Sequence, residues 1–247
     1  GLCAVDGLTV RVLPGTVTDT GMQLAAAVEI VGETGDPKDV IVTRPAADDT
    51  AKIGYRIFHL SNVDAKIKDL TVSGGKFLTN DSTGTAWKSD QNGVNVSVDD
   101  GTVEHCILEN ANTTSDAKNN RGLGFYLGKG RITRCIIRNN TANIGTGDNS
   151  GAALMIYRST GSVRVEGCVF YGNRAIGQEN GFAGAASIYV DPPVNDTVIS
   201  HCTFANEMGP GVGAIYSHST NGFVGDCDTY FSHPCGRMYI GQRISVH

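Results

Sequence analysis

The amino-acid sequence predicts an all-β protein, a single-stranded right-handed parallel β-helix (solenoid) of about seven or eight coils. Three observations lead to this prediction. A short phrase recurs with a small or apolar residue at positions 70, 106, 135, 168, 202 and 227, in steps of 36, 29, 33, 34 and 25 residues. Repeats of this length are typical of stacked architectures. Apolar residues alternate within each copy, as in a strand buried on one side, and glycine, 32 of 247 residues, supplies frequent turns.

The clearest copy of the phrase runs from Ile132 to Asn139 and reads ITRCIIRN. Cys135 and Ile137 lie two residues apart and are predicted to point inward from one strand, whereas Ile132 has the wrong parity for the same straight strand. We therefore expect a bend one or two residues before the cysteine. The asparagine or glycine after the second strand suits a turn, because both residues tolerate left-handed backbone angles.

A further strand that opens with glycine precedes each phrase. The five copies are 93–98, 124–127, 151–156, 184–190 and 213–216. Three strands per coil would stack equivalent residues about 4.8 Å apart, so the cysteines should form an internal column of unpaired thiols. Cys3 and Cys235 lie outside this column and could pair or stay free, so the cysteines do not define a redox compartment.

The N-terminal part of the chain contains the first strands of the same stack. Residues 8–17 read as a strand that ends at a Pro-Gly turn, and 24–31, 40–43, 56–60 and 65–72 read as further strands. No convincing domain boundary interrupts this pattern, so residues 1–247 are predicted to form one β-helix domain. The last residues lack a polar cap, and we expect the domain to be part of a longer protein.

Composition and charge exclude two classes of partner. The net charge of −5 argues against nucleic acid, which requires a basic stripe. No apolar run approaches the ~20 residues of a membrane-spanning helix, so no membrane span is predicted.

Two sets of residues carry a resemblance to known families. Residues 12–16 (VLPGT), 28–32, 36–41, 58–60 and 67–75 resemble the start of pectin-lyase-like right-handed parallel β-helix proteins. The later coils, at 151–154, 184–187, 213–215 and 170–173, resemble repeats of chlamydial polymorphic outer membrane proteins and related bacterial surface proteins. The resemblance implies an extracellular or cell-surface location in a bacterium. It also implies an acidic polysaccharide or a host or cell-surface glycan as partner, since β-helix enzymes often act on acidic glycans.

The loops after each phrase, at 74–92, 110–121, 139–150, 173–183 and 206–212, are predicted to form one polar wall. Trp87 could stack on a sugar or close the core of its own loop. Candidate ligand-binding residues are Asp90, Asp116 and Asp148. Candidate bases or charge-neutralising cations for a polysaccharide lyase are Lys88, Lys118, Arg121 and Arg174. No resident cofactor is predicted, with Ca²⁺ bound by these carboxylates left as an open option.

No assembled catalytic set is visible. The polygalacturonase pattern is missing, and Asp99-Asp100 is expected in a turn without partners. His105 and His201 each precede a column cysteine and should point away from it, so no metal site is predicted.

These observations favour a secreted or cell-surface module for adhesion or glycan binding. The alternatives are a polysaccharide lyase or glycoside hydrolase acting on an acidic glycan, and a structural stalk or passenger segment. An enzyme should place two titratable groups and a cation along one groove, a binder should place aromatic rings and amides there, and a stalk should show neither.

Overall fold

The computed structural model describes residues 5–45, 56–77, 93–113, 124–145, 152–157, 161–177, 187–191, 196–209, 213–217, 223–225, 227–230 and 239–240. Regular structure in these ranges is entirely β, and every pairing between the strands is parallel. In chain order the strands are β1 (Leu8–Val12), β2 (Gly15–Thr18), β3 (Met22–Leu24), β4 (Val28–Gly32), β5 (Val40–Thr43), β6 (Phe58–Lys68), β7 (Thr71–Ser73), β8 (Lys76–Phe77), β9 (Val96–Glu104), β10 (Ile107–Glu109), β11 (Asn112–Thr113), β12 (Phe125–Leu127), β13 (Gly130–Thr133), β14 (Ile136–Arg138), β15 (Thr141–Gly145), β16 (Leu154–Tyr157), β17 (Ser162–Glu166), β18 (Val169–Tyr171), β19 (Arg174–Gly177), β20 (Ile188–Asp191), β21 (Asp196–Ser200), β22 (Thr203–Ala205), β23 (Ile215–Ser217), β24 (Phe223–Gly225), β25 (Asp228–Tyr230) and β26 (Tyr239–Ile240).

The strands stack into four faces, which we name in the order in which the chain visits them. Face A contains β3, the first part of β6 and β9, and β12, β16, β20, β23 and β26. Face B contains β1, β4, the last part of β6 and β9, and β13, β17, β21 and β24. Faces A and B form one 14-stranded sheet, because β6 and β9 run through both. Face C is the eight-stranded sheet β2-β5-β7-β10-β14-β18-β22-β25, and face D is the four-stranded sheet β8-β11-β15-β19.

The described residues make about four complete turns, not the seven or eight coils predicted. A complete turn requires a strand on face D, and this sheet has four strands. Within the described residues, no face-D strand follows β2 or β5, and β22 is followed by a single bridge between Arg174 and Met208. The predicted number was an estimate from the repeat steps, which do not show whether a turn includes a strand on face D.

The core lies between faces A, B and C. It consists of buried Val, Ile, Leu, Phe and Cys side chains from the inner positions of all three faces, as the sequence predicts. Phe170 and Phe204 stack on adjacent turns with ring centroids 4.9 Å apart. A second, smaller cluster of Val94 and four alanines fills the narrow space between faces D and A.

Two corners bound five strands of face C, β7, β10, β14, β18 and β22, and a residue in the left-handed region forms each corner. At the B/C corner the φ angles lie between +48° and +62°; the residues are Asp69, His105, Arg134, Gly167 and His201. At the C/D corner the φ angles lie between +54° and +80°; the residues are Gly74, Asn110, Asn139, Gly172 and Asn206. The predicted bend before each cysteine and the predicted turn after each strand are both confirmed.

The residue after the B/C corner always points inward, and these residues form the predicted cysteine column. Leu70, Cys106, Cys135, Cys168 and Cys202 are at most 1% exposed. Cys227 continues the column at its half-buried end, and none of these five cysteines forms a disulfide. The backbone ladder runs through the column: Ile136 N–H donates to the carbonyl of Cys106, and Val169 N–H to that of Cys135, both at 2.9 Å. Cys3 and Cys235 lie outside the described residues.

Candidate functional site

The outer row of face A is the most distinctive surface of the described structure. The register aligns, turn after turn, Gln23, His59, Ser97, Tyr126, Met155, Tyr189 and Tyr216. We call these seven residues the face-A row. Each from His59 to Tyr189 lies between two buried core residues of its own strand, such as Phe125 and Leu127 on either side of Tyr126. Because side chains alternate along a strand, the face-A row must point outward.

Three of these residues are tyrosines, and they differ in exposure. Tyr189 and Tyr216 stack on adjacent turns, with ring centroids 5.3 Å apart and planes inclined by 19°. Tyr189 is 9% exposed, whereas Tyr126 and Tyr216 are half-buried. Ser97 and Met155 are buried. Each of the two rings therefore covers one face of the other.

An ion pair lies at one end of the tyrosines. His59 Nε2 is 2.9 Å from Asp99 Oδ2, and the histidine side chain is 25% exposed and the carboxylate 56%. The hydrogen bond from His59 lowers the pKa of Asp99, burial opposes it, and the positive charges of His59 and Arg56 add to the lowering.

The prediction that Asp99 and Asp100 lie in a turn without partners is wrong. Both belong to β9, where this strand crosses from face A to face B. Asp100 pairs with Ser61 across a register shift, and Lys129 Nζ lies 2.5 Å from its carboxylate. The sequence suggested a turn because Gly101 follows, and this glycine does adopt a φ of +134°. The parallel ladder nevertheless continues through it.

Most site residues predicted from the sequence lie outside the described residues. They are Trp87, Lys88 and Asp90 in 78–92, Asp116, Lys118 and Arg121 in 114–123, and Asp148 in 146–151. Each of these three segments leads along the chain directly into a face-A strand. Arg174 is the exception: it is exposed at the start of β19 on face D, and its N–H donates to the carbonyl of Asn140 at 2.8 Å. The structure therefore places Arg174 on a different sheet from the face-A row.

The outer surface of face B carries charges that neutralise one another. Lys66 Nζ lies 2.5 Å from Glu104, and Arg134 also binds this carboxylate. The hydrogen bond from Lys66 is the largest cause of the lowered pKa of Glu104, with Arg134 contributing. Arg164 binds Asp196 through both terminal nitrogens, at 3.0 and 2.9 Å. These contacts pair basic with acidic side chains of neighbouring turns.

The histidines next to the cysteine column also point away from it. His105 Nδ1 lies 2.7 Å from Asp69 Oδ1 on the outside of the B/C corner. Within the described ranges, no three His, Cys, Asp or Glu side chains are grouped so that they could hold a metal ion. Nor does this part of the chain contain a helix that could cross a membrane.

Sequence reasoning missed the face-A row. The signal was the residue between the two apolar positions of the glycine-opened strand, which is tyrosine in Phe125–Leu127 and again in Ile188–Val190. Tyr216 occupies the same position after Ile215. The row becomes visible only when these strands are aligned with one another, because neighbouring turns are about 30 residues apart in the chain.

Comparison with known proteins identifies the family. Two solved structures resemble this chain: a pectin methylesterase from Yersinia enterocolitica (12% identity, TM-score 0.44, 98% of this chain and 90% of that chain covered), and a pectin methylesterase from Aspergillus niger (11% identity, TM-score 0.39, 91% and 77% covered). Likenesses this distant carry no argument about activity, because such folds host many functions. A search of curated proteins found no significant match. The model of the right-handed beta helix region matches residues 56–243, and the chain therefore belongs to the right-handed parallel β-helix family.

Proposed function

We propose that this protein is an extracellular glycan-binding module and that the face-A row forms the floor of its binding surface. The observation that carries the proposal is the alignment of Tyr126, Tyr189 and Tyr216 on one outward row. Tyrosine combines an apolar ring, which packs against the C–H groups of a sugar, with a hydroxyl that can bond to sugar hydroxyls.

The direction of the row defines the shape of ligand that fits it. The row runs across the strands, so successive side chains are about 4.8 Å apart along the axis of the solenoid. A linear polysaccharide lying along this axis would contact the half-buried members of the row, His59, Tyr126 and Tyr216, which belong to different turns. Each contact is weak by itself, and the repeated fold adds such contacts together.

Two further features support face A over face B. The segments that contain Trp87, Asp116 and Asp148 each lead into a face-A strand, so side chains suited to sugar binding precede this face along the chain. On face B, by contrast, acidic and basic groups bind one another. A neutral, hydroxyl-rich ligand has more to gain from tyrosine hydroxyls than from ion pairs that it would have to break.

A glycan array followed by calorimetric titration of the best ligand would test this proposal. We expect the Tyr126→Ala and Tyr216→Ala variants each to weaken binding about tenfold, the size of effect typical of an aromatic anchor. Tyr171→Ala is the matched control, because Tyr171 is a 48% exposed tyrosine on the outside of face C. Its affinity should equal that of the parent. Equal affinity in all four proteins, or no binding to any glycan, would refute the assignment.

A second candidate function, cleavage of a polysaccharide along the same face, is favoured by the ion pair of His59 and Asp99. This pair places two titratable groups beside the face-A row, with the positive charge of Arg56 close enough to influence Asp99. In a lyase the imidazole of His59 would act as the base that removes a proton from the sugar, and Arg56 would be the cation that stabilises the resulting negative charge.

Incubation with a panel of acidic and neutral polysaccharides, with and without Ca²⁺, separates the two functions. Unsaturated or reducing-end product that disappears in the His59→Gln variant would establish cleavage. Binding without product, retained in His59→Gln, would establish the binding module. Lys129→Gln is a useful control, since it removes a neighbouring ion pair with Asp100 and leaves the His59 pair in place.

A further inference from the structure

The cysteine column has a closed end and an open end. At the closed end Cys106 is buried, and the fully buried Leu70 precedes it in the column. At the open end Cys227, the last column residue in the part of the chain that the structure describes, is half-buried, whereas Cys202 on the preceding turn is buried. A small reagent in the solvent can therefore reach the column at Cys227, and the thiols behind it are shielded.

Cys202 and Cys227 occupy equivalent positions on adjacent turns. Each is the residue directly before a strand of face C, and these two strands, β22 and β25, pair in register with Thr203 opposite Asp228. Neighbouring parallel strands lie about 4.8 Å apart, and a disulfide spans Cα separations of about 4.4–6.8 Å. The backbone of the two turns therefore already has the spacing that a disulfide requires.

The two side chains also point in the direction that a bond between them requires. Cys202 Sγ lies 3.6 Å from the carbonyl of Val165. Cys227 Sγ lies 3.9 Å from the carbonyl of Ile199, which is the equivalent residue one turn later. Each sulfur is directed towards the preceding turn, so Cys227 faces Cys202. The two thiols are hydrogen-bonded to each other.

The inner thiol is protected from direct attack by an oxidant. A hydrogen bond with the Cys168 thiol raises the pKa of Cys202 to about 12; the bond with Cys227 opposes this shift, and burial adds to it. Because the thiolate is the form that reacts with peroxides, Cys202 should not react first at neutral pH. Cys227 combines access from solvent with a second thiol in contact, which is the arrangement of a reactive cysteine beside a resolving one.

We propose that Cys227 and Cys202 form a redox site, in which a hydroperoxide oxidises Cys227 and Cys202 then closes a disulfide between the two turns. In the first step the sulfur of Cys227 attacks the peroxide and takes one oxygen, so that Cys227 becomes a sulfenic acid and the peroxide is reduced to water or an alcohol. In the second step the sulfur of Cys202 displaces the hydroxyl group, which leaves as water with the thiol proton. The two thiols have then lost two electrons and two protons, and a thiol reductant restores them. The proposal does not depend on the function of face A.

Oxidation with hydrogen peroxide tests the site in a parent protein that carries Cys3→Ser and Cys235→Ser, so that only the five column thiols can react. We expect the number of thiols, counted after denaturation, to fall from five to three and to return to five with dithiothreitol. Proteolysis after glutamate places Cys202 and Cys227 on separate peptides, because Glu207 lies between them. Mass spectrometry of the linked peptides then identifies the disulfide.

Three variants of this parent assign the two roles. Cys227→Ser should leave the remaining four thiols unmodified, because all four are buried. Cys202→Ala should stop at the sulfenic acid of Cys227, which a 1,3-dione probe labels. Cys106→Ala is the matched control: it removes a thiol from the closed end of the column, and the disulfide between Cys202 and Cys227 should form as in the parent.

The mapping of the disulfide in the parent decides the question even if a variant does not fold. A thiol count that stays at five under peroxide would overturn the proposal, as would a disulfide between a different pair of column cysteines. A sulfenic acid that persists on Cys227 of the parent would contradict the role of Cys202. Loss of thiols in Cys227→Ser at the rate of the parent would contradict entry at the open end.

Discussion

The two corners of face C are built on the same backbone plan and filled with different chemistry. At each corner a left-handed residue is followed by one that points into the solenoid. After the B/C corner this residue is cysteine in four successive turns, and after the C/D corner it is Ala111, Asn140, Asn173 and Glu207 in the same turns. We call the second series the amide column. The same corner geometry is therefore filled by thiols on one side of face C and mostly by polar side chains on the other.

Both columns use their side chains to bind the backbone of a neighbouring turn. Cys135 Sγ donates to the carbonyl of Val103 at 3.7 Å, and Asn140 Nδ2 donates to the carbonyl of Leu108 at 3.2 Å. Each acceptor lies three residues before the column residue of the preceding turn. In the other direction, Cys106 N–H donates to the sulfur of Cys135 at 3.4 Å. The cysteine column thus has the hydrogen-bond pattern of the amide column, with weaker groups.

The amide column ends in a buried acid. Oε1 of Glu207 accepts from the backbone N–H and side-chain Nδ2 of Asn173, at 3.2 and 3.1 Å, and Ser187 Oγ is bonded to Oε2. Ser187 Oγ also lies 3.2 Å from the carbonyl of Gly213. A protonated Glu207 completes this chain of bonds, because its own O–H can donate to Ser187, whose hydroxyl then donates to Gly213. Burial accordingly raises the pKa of Glu207 to about 8.

The largest loss of stability is expected when a charge is placed in the cysteine column. Cys135→Asp places a carboxylate in the apolar core beside Cys106, Cys168 and carbonyl groups, where the N–H of Cys106 is the single backbone donor that the structure shows for this position and no cation lies in the core cluster. We expect the variant not to fold, since an unpaired buried charge costs several kcal/mol and domains have only about 5–15 kcal/mol in total. Circular dichroism of the purified protein would show this. Cys135→Val is the control and should fold. A Cys135→Asp variant as stable as the parent would disprove the claim that Cys135 lies in a buried column.

Changing pH should affect only the amide column. The pKa of Glu207 is about 8 in the folded protein and 4.5 in the unfolded chain, so the folded protein binds the proton more tightly. The stabilisation is complete below pH 4.5 and is lost as pH rises through 8. The loss amounts to up to about 5 kcal/mol.

Urea unfolding at pH 5 and pH 9 of the parent and of Glu207→Gln measures this effect. The Gln variant keeps the donor and acceptor without a charge, so its stability should change less with pH than that of the parent. Glu109→Gln is the control, because Glu109 is a half-buried carboxylate paired with Arg138, and its variant should keep the loss at high pH. Identical pH dependence in Glu207→Gln and the parent would contradict the assignment.

The sequence predicted the cysteine column and did not predict the amide column, for a physical reason. Cys135 and Ile137 show period-two alternation of apolar residues, which has one interpretation. Asn139 and Asn140 are both polar and adjacent, and one of them forms the exposed turn while the other is buried and bonded. Composition alone assigns both to the turn. Their different roles depend on the neighbouring turns, about 30 residues away.

The same limit applies to the candidate sites. The strands of face A and the inward direction of Phe125 and Leu127 follow from local alternation, so the fold was predictable down to its corners. The face-A row combines residues from several turns, and only the register between turns brings them together. The number of complete turns was not predictable. The recurring phrase covers only the strands of faces B and C, so it does not show whether the same turn also includes a strand on face D.

Removing one amide tests how strongly the second column is bonded. Asn173→Leu removes the acceptor of the Asn140 N–H and the donor to the Ile137 carbonyl, and both groups are buried. It also removes one of the bonds of Asn140 Nδ2 and one of those of Glu207 Oε1. We expect the free energy of unfolding to fall by about 3 kcal/mol, as these buried polar groups lose hydrogen bonds. Urea unfolding at pH 5, where Glu207 is neutral, measures this change. Asn139→Gly is the control: it changes the neighbouring exposed turn residue, already left-handed, and should cost little.

The smallest effect is expected at the equivalent place in the cysteine column. Cys168→Ala removes a sulfur whose contacts to the carbonyls of Ile132 and Glu166, at 3.7 and 3.5 Å, are long. The loss is then mainly the small cavity, about 1 kcal/mol. Cys168 and Asn173 bound the same strand, β18, so the two variants compare the corners within one turn. If Cys168→Ala costs as much as Asn173→Leu, the thiol is a hydrogen-bonding group as essential as the amide. If the loss of stability in Cys168→Ala is about one third of that in Asn173→Leu, the cysteine column is stabilised by packing and the amide column by hydrogen bonds. The two corners then tolerate different substitutions for that reason.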